Sequence, residues 1–253
     1  MSTELRIIPV AGIGEVPQGA DLGQSIYEAL QRQHLRVEHG DVFVVTQKIV
    51  SKAEGRIVDL AEIEASEFAR AFALEYGKDA QHVEVVLRES KRIVRMDHGV
   101  LISETRHGFI CANAGVDESN VNGRRELALL PVDPDRSAQE LRERLRSLSS
   151  EEKDVAVIIS DTWGRPWRNG QVNMAIGVAG MEAIIDYKGQ LDPYGYELKV
   201  SAIAVADELA SAAELVMGKI DQVPVALIRG YTYIPAPGDG RTLIRDSATD
   251  MFR

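Results

Sequence analysis

Short runs of β-branched and apolar residues alternate along the chain with longer stretches whose apolar positions recur every three or four residues. Leu5–Val10 predicts a strand, and Val42–Val45, after the Gly40-Asp41 turn, predicts a second one. Between them, Leu22, Ile26, Ala29 and Leu30 share one helical face, so Asp21–Gln31 reads as an amphipathic helix. Glu64–Tyr76, with Phe68, Ala71, Phe72 and Leu74 on or near one face, and Gln81–Glu89 predict two more helices. Arg92–Val94 and Val100–Ser103 read as strands around the Asp97-His-Gly99 turn, leading through Thr105 into the apolar Phe109, Ile110 and Cys111. Leu129–Asp135 reads as an exposed turn, after which the capping-box spacing of Ser137 and Glu140 predicts a helix through Leu148. Its Arg142, Arg144 and Arg146, interleaved with Glu140 and Glu143, read as a solvated face.

Val155–Ser160 predicts a buried strand. Val172–Ala179, with Gly177 and Gly180, is small and apolar, suited to close packing or to a subunit contact. Asp186–Tyr196 is expected to be a loop. Val200–Met217 predicts the longest helix, with Ile203, Val205, Leu209, Ala212, Leu215 and Val216 inward and Asp207 and Glu208 on the wet face. Val223–Ile228 is the last core strand, and the Gly- and Pro-punctuated tail from Pro235 holds one short helical piece at most. The expectation is an α+β fold with mixed sheets and packed helices, one domain over residues 1–253 or two lobes of one.

Composition narrows the function classes. With 45% hydrophobic and 27% charged residues among 253, the chain has the make-up of a soluble globular protein with a substantial core. A formal net charge of -10 disfavours nonspecific binding to nucleic acid or to an anionic membrane. Cys111 is the single cysteine, which excludes an intrachain disulfide and a zinc site built on several cysteines. No signal-peptide order and no membrane-spanning apolar run is present, so a cytoplasmic protein is expected.

The chemistry concentrates in two stretches. Phe109-Ile-Cys111 runs into Asn113, Gly115, Asp117, Glu118, Ser119 and Asn120, read as a strand followed by a loop rich in hard oxygens suited to Mg²⁺ or Mn²⁺; an Asx-rich turn is the alternative. Val155–Ser160 runs into Asp161-Thr-Trp-Gly-Arg-Pro-Trp-Arg168, where an acid at a strand end precedes a hydroxyl and two arginines. A carboxylate holds a cation and guanidiniums hold anionic oxygens, as a metal–phosphate site requires. Two such stretches favour one shared divalent site over two unrelated turns. Ala11-Gly-Ile-Gly-Glu15 lacks the third glycine of a dinucleotide fingerprint, which leaves a glycine loop that can offer backbone N–H groups to a nucleotide. His107 reads as an acid or base or as a structural histidine, and no catalytic role is assigned to it. No GxSxG elbow and no Walker motif occurs.

Asn113-Ala-Gly-Val-Asp-Glu-Ser-Asn120 and Ser160-Asp-Thr-Trp-Gly-Arg-Pro-Trp-Arg-Asn-Gly170 resemble signature stretches of the coenzyme F420-0:L-glutamate ligases, the γ-glutamyl ligases that finish a deazaflavin coenzyme. Ser51-Lys-Ala-Glu-Gly-Arg56 and Val223-Pro-Val-Ala-Leu-Ile-Arg-Gly-Tyr231 match that family in the same order, so the resemblance spans about Pro9 to Tyr231. It implies a homodimeric enzyme in which GTP phosphorylates a carboxylate of coenzyme F420-0 and the amine of L-glutamate attacks the acyl phosphate. Asp117 and Asp161 are then the catalytic metal ligands, with Thr162 helping at a second Mg²⁺ or Mn²⁺. The guanine nucleotide is expected at Gly12, Ile13, Gly14 and Glu15, at Gln47, Lys48 and Lys52, at Asn120, and along Met217, Gly218, Lys219, Ile220, Asp221, Gln222 and Val223. Arg165 and Arg168 are candidates for anionic groups of the precursor, and Trp163 and Trp167 either stack on its flat ring or pack in the core. Some relatives continue into a nitroreductase-like domain, which is not expected here. Some also carry a metal-binding glutamate two residues beyond the Met-Gly pair, where this chain has Lys219 and a loop one residue shorter. Lys219 is therefore expected to neutralise phosphate, with Asp221 as the nearest substitute ligand. The alternatives are an amide ligase for another acidic acceptor, a noncatalytic nucleotide–metal binding module and a metal-dependent phosphotransferase.

Overall fold

Val42, Phe43, Val44 and Val45 are all completely buried, a run without alternation that marks a strand covered on both faces. The computed structural model describes residues 4–121, 124–149 and 153–251, and only the backbone of Ser119, Asn120, Val121 and Arg124. In chain order the elements are β1 (Arg6–Pro9), α1 (Leu22–Arg32), β2 (Val42–Thr46), α2 (Gln47–Ala53), β3 (Ile57–Asp59), α3 (Glu67–Tyr76) and α4 (Ala80–Glu89). There follow β4 (Ser90–Asp97), β5 (Val100–Thr105), β6 (Ile110–Ala112), β7 (Asp117–Val121), β8 (Arg124–Ala128) and α5 (Pro134–Leu148). The chain continues through β9 (Ala156–Arg165), β10 (Arg168–Ala179), β11 (Ile185–Asp186), β12 (Ala202–Ile203), α6 (Val205–Met217) and β13 (Val225–Arg229). The fold is α+β with mixed sheets, as the sequence pattern predicts.

The main sheet has the order β1-β13-β2-β9-β10, with β2 and β9 parallel and the other pairs antiparallel. Helices α1, α2 and α5 cover one face through Ile26, Leu30, Val50, Leu141 and Leu145, against Phe43, Val45, Val157 and Ile159. Helix α6 covers the other through Val205, Leu209, Ala213 and Met217, against Val42, Val44 and Ile158. A separate cluster gathers α3 and α4 with the sheets β3-β8-β7 and β4-β5-β6 around Phe72, Val86, Leu101 and Leu127.

Several local expectations change in the folded chain. Helix α5 starts at Pro134, not Ser137: Asp133 caps it by accepting the Arg136 N–H at 3.2 Å, and proline suits the first turn, where its missing N–H costs nothing. On α6, Leu215 is 82% exposed, and Ile203 lies in β12 ahead of the helix. Asp207, expected on the wet face, accepts the Ala175 N–H at 2.8 Å beside the bulge of β10. Asp135 accepts the Val178 N–H at 2.9 Å. These two carboxylates occupy backbone donors of the sheet's edge strand, which would otherwise face outward unpaired. On α3 the buried stripe is Ala69, Phe72 and Ala73, whereas Phe68 and Leu74 are exposed. Gly177 lies against α5, where an added Cβ would come 2.3 Å from the Pro134 carbonyl oxygen, and Ala175–Gly180 is buried within the chain. The stretch serves close packing within the chain.

Candidate active site

Strand β2 ends at Thr46, paired with Ser160, and its chain turns away into α2 while β9 runs on beside β10 alone. That divergence leaves a cleft at the carboxyl ends of two parallel strands, the place where open sheets that contain parallel strands bind ligands. Its volume is about 350 Å³. The glycine turn lines it at Gly14 and Glu15, the start of α2 at Gln47, Lys48 and Lys52, and the turn after α6 at Gly218, Lys219, Gln222 and Val223. Asp117 enters from β7, and Asp161 and Thr162 from β9.

Both acids stand on strands, not on the loops expected. Asn113, Ala114 and Gly115 form a tight turn with φ of 52°, 54° and 68°, and the chain enters β7 at Asp117, opposite Ala128 of β8. Gly115 suits that backbone, and an added Cβ there would come 2.9 Å from Leu130. Lys48 Nζ lies 2.7 Å from Asp117 Oδ2 and donates to the Glu118 carbonyl at 3.3 Å, tying α2 to β7.

Asp161 sits opposite Met174 within the β9–β10 hairpin. Its Oδ1 accepts the Thr162 N–H at 2.8 Å and its Oδ2 accepts the Trp163 indole N–H at 2.9 Å. The Trp163 ring packs on Phe109 at a centroid distance of 5.2 Å. Burial raises the Asp161 acid to about 6; the two hydrogen bonds oppose this, the Asp117 charge adds to it and Lys219 offsets part. A desolvated carboxylate beside a like charge is stabilised by any cation placed between them.

On the opposite face of β9, the Thr162 hydroxyl donates to Asn173 Oδ1 at 2.7 Å. Asn173 Nδ2 donates to Glu214 Oε2 at 2.9 Å. Lys219 Nζ reaches Thr162 Oγ1 at 2.6 Å and Glu214 Oε1 at 3.0 Å. Glu214 and Asn173 line the cleft and were not singled out in the sequence. Asn173 carried a signal, being a polar residue in the apolar run Val172–Ala179. Glu214 carried none, because a glutamate on a helix reads as solvated. Asp221 does not line the cleft and lies over Gly218, so Glu214 is the carboxylate that stands beside Thr162.

The remaining expected residues divide. Lys52 Nζ is held by Glu15 at 3.0 Å at the cleft edge. Gln47 turns its buried side chain onto Ser51 at 2.8 Å, which leaves its backbone at the cleft. Gly12, Ile13, Met217 and Ile220 do not line it; Met217 is a core residue and Ile220 is 89% exposed. The side chain of Asn120 lies outside the described residues. Arg165 and Arg168 face each other at the tip of the hairpin, away from the cleft lining, with Trp167 at φ 58° in the turn between them. His107 Nε2 sits 2.8 Å from the Pro131 carbonyl, a structural contact. Cys111 is buried and its thiol is pushed up to about 12, mainly by burial, so it is no nucleophile at neutral pH.

Among the described residues no three His, Cys, Asp or Glu side chains form a ready-made metal cage. Asp117 and Asp161 nevertheless fit Mg²⁺ or Mn²⁺, which take one or two carboxylates and complete their shell with phosphate and water, whereas the Thr162 hydroxyl, expected at a second ion, is engaged by Asn173 and Lys219. The model for F420-0:Gamma-glutamyl ligase matches residues 12–230. The chain belongs to the F420-0:gamma-glutamyl ligase family. Among its relatives, the Coenzyme F420:L-glutamate ligase of Methanothermobacter thermautotrophicus is 46% identical over 252 residues, covering 98% of this chain and 99% of that protein. The proteins of the same name from Methanopyrus kandleri and Archaeoglobus fulgidus are 46% and 40% identical, each over 98% of this chain and over 98% and 96% of their own lengths. No helix among the described residues of this family member is long and apolar enough to cross a membrane.

Proposed function

We propose that this chain is a GTP- and divalent-metal-dependent ligase that joins L-glutamate to coenzyme F420-0, adding one or more γ-glutamyl residues through an acyl phosphate. The observation that carries the reading is the meeting of Asp117 and Asp161, from strands of two different sheets, in one cleft edged by lysines and glycine turns. The names of the relatives support the substrates.

Asp117 and Asp161 hold the cation in this reading, while the Thr162 hydroxyl, on the other face of β9, meets Lys219. Bound there, Mg²⁺ or Mn²⁺ supplies the charge that neutralises the transferring phosphate. Lys48 and Lys52 face the same phosphates, and the backbones of Gly14–Glu15 and Gly218–Val223 cradle the nucleotide. Trp163 keeps the Asp161 carboxylate turned by one hydrogen bond. No protein nucleophile is required, because the carboxylate of the precursor attacks the γ-phosphate of GTP, GDP leaves, and the amine of glutamate then displaces phosphate. The homodimer expected from the resemblance belongs to the same proposal and is checked by light scattering.

A second reading keeps the chemistry and changes the acceptor. It is favoured by the position of Arg165 and Arg168 at the hairpin tip, outside the cleft lining. Mass spectrometry after incubation with coenzyme F420-0, GTP, Mn²⁺ and L-glutamate tests both. The expected product is heavier by one or more glutamyl residues, with phosphate released only when glutamate is present. An unchanged precursor together with glutamate-dependent phosphate release in the presence of another acidic acceptor would replace the first reading by the second.

A further inference from the structure

We propose that Lys219 is a tethered cation: its ammonium fills a cation seat built by Thr162, Asn173 and Glu214, so the cleft takes one divalent ion fewer than its oxygen donors can hold. The inference deepens the proposed function and rests on it only in placing cations in this cleft. Four side chains close a ring there. Thr162 Oγ1 gives its hydrogen to Asn173 Oδ1 at 2.7 Å, so a lone pair is left to accept from Lys219 Nζ at 2.6 Å. Asn173 Nδ2 binds Glu214 Oε2 at 2.9 Å, which leaves Oε1 for the same ammonium at 3.0 Å. Asn173 is 1% exposed and directly opposite Thr162 across the hairpin, so the ring stands on a rigid pair.

A second observation is an unpaired oxygen donor lining the same cleft. Ser160 lies two residues before Thr162, on the same face of β9, and lines the cleft. Its Oγ is completely buried and has no hydrogen-bond partner among the described residues. Hydroxyl, carboxylate and hydroxyl are the hard oxygen donors a divalent ion takes. The Lys219 ammonium meets the Thr162 hydroxyl and the Glu214 carboxylate with a single charge and leaves the Ser160 hydroxyl unpaired. Lys219 has a side chain 59% exposed and leaves the last turn of α6 beyond Gly218, so replacing it removes no core packing.

The test counts bound Mn²⁺ from the electron paramagnetic resonance signal of the free ion, on the full chain without nucleotide. Lys219→Met is expected to bind one more Mn²⁺ per chain than wild type, at least tenfold more tightly than any corresponding wild-type site. Lys219→Gln, which keeps hydrogen bonding and loses charge, is expected to do the same and stands in should the first variant misfold. Adding Glu214→Gln to either is expected to remove the extra ion. Equal ion counts and affinities in wild type and both single variants would overturn the proposal. The Asp161→Asn variant, counted alongside, reports on the other ion: loss of wild-type Mn²⁺ binding there bears on the proposed function, whereas the gain at Lys219 bears on the tethered cation.

Discussion

Trp163 donates its indole N–H to Oδ2 of Asp161 at 2.9 Å, from two residues further along the same strand. The spacing sets both side chains on one face of β9. The carboxylate in the cleft is thereby oriented by a ring that is itself packed on Phe109.

Asp161→Asn should abolish ligation and stabilise the metal-free protein at neutral pH. The folded-state acid is raised from 3.8 to about 6, so between those values the native state binds more protons than the unfolded chain, and stability falls as pH rises. That rise corresponds to roughly 3 kcal/mol at most. Asparagine retains one acceptor oxygen for two donors, and the lost bond costs about 1 kcal/mol, so the charge effect wins. Urea denaturation without metal is expected to favour the variant at pH 7.5 and to reverse near pH 4. A variant less stable than wild type at pH 7.5 would contradict the assignment.

Trp163→Phe keeps a ring on Phe109 and deletes the donor. A hydrogen bond to a charged group contributes about 1.5–3 kcal/mol, and about 1.4 kcal/mol is tenfold. Mn²⁺ affinity is expected to weaken by roughly one decade at pH 6.5. The difference should shrink at pH 8, where the carboxylate is ionised in both proteins. Isothermal titration at the two pH values measures it, and a pH-independent loss would point to packing instead.

Lys48→Met separates stability from binding. Its ion pair with Asp117 is exposed, with side chains 40% and 52% accessible, and such pairs contribute about 0–1 kcal/mol. The denaturation midpoint should move little. GTP affinity, measured by equilibrium dialysis, should fall by roughly one to two decades if the ammonium meets phosphate; unchanged affinity would remove Lys48 from the nucleotide site.

Arg229→Met is the structural counterpart. Arg229 makes two bonds of 2.8 Å to the completely buried carboxylate of Asp41 and a further one to Glu38 at 2.6 Å. Removing one partner of a buried ion pair costs about 3–5 kcal/mol. Guanidinium unfolding should show a loss of that size, with activity per folded molecule unchanged. A loss below about 1 kcal/mol would mean that the pair behaves as a surface contact.

The chain's periodicities sufficed for β2, α1, α4 and β13, because one buried face writes its spacing directly into the sequence. Asp117 and Asp161 were legible too, as acids beside apolar runs. Tertiary pairing decided the rest. Asp117-Glu-Ser-Asn and Asp161-Thr-Trp-Gly lack the apolar content of a strand, and they extend only because β8 and β10 supply their hydrogen-bond partners. Ser137 lost the helix cap to Asp133 because Pro134 already favours the first helical turn. Glu214 and Lys219 look like ordinary surface charges on a helix and its turn. Only the docking of α6 on the sheet, which sets Glu214 against Asn173 and Lys219 against Thr162, turns them into parts of one cleft. Contacts between residues tens of positions apart depend on how layers pack, and no local pattern encodes that distance.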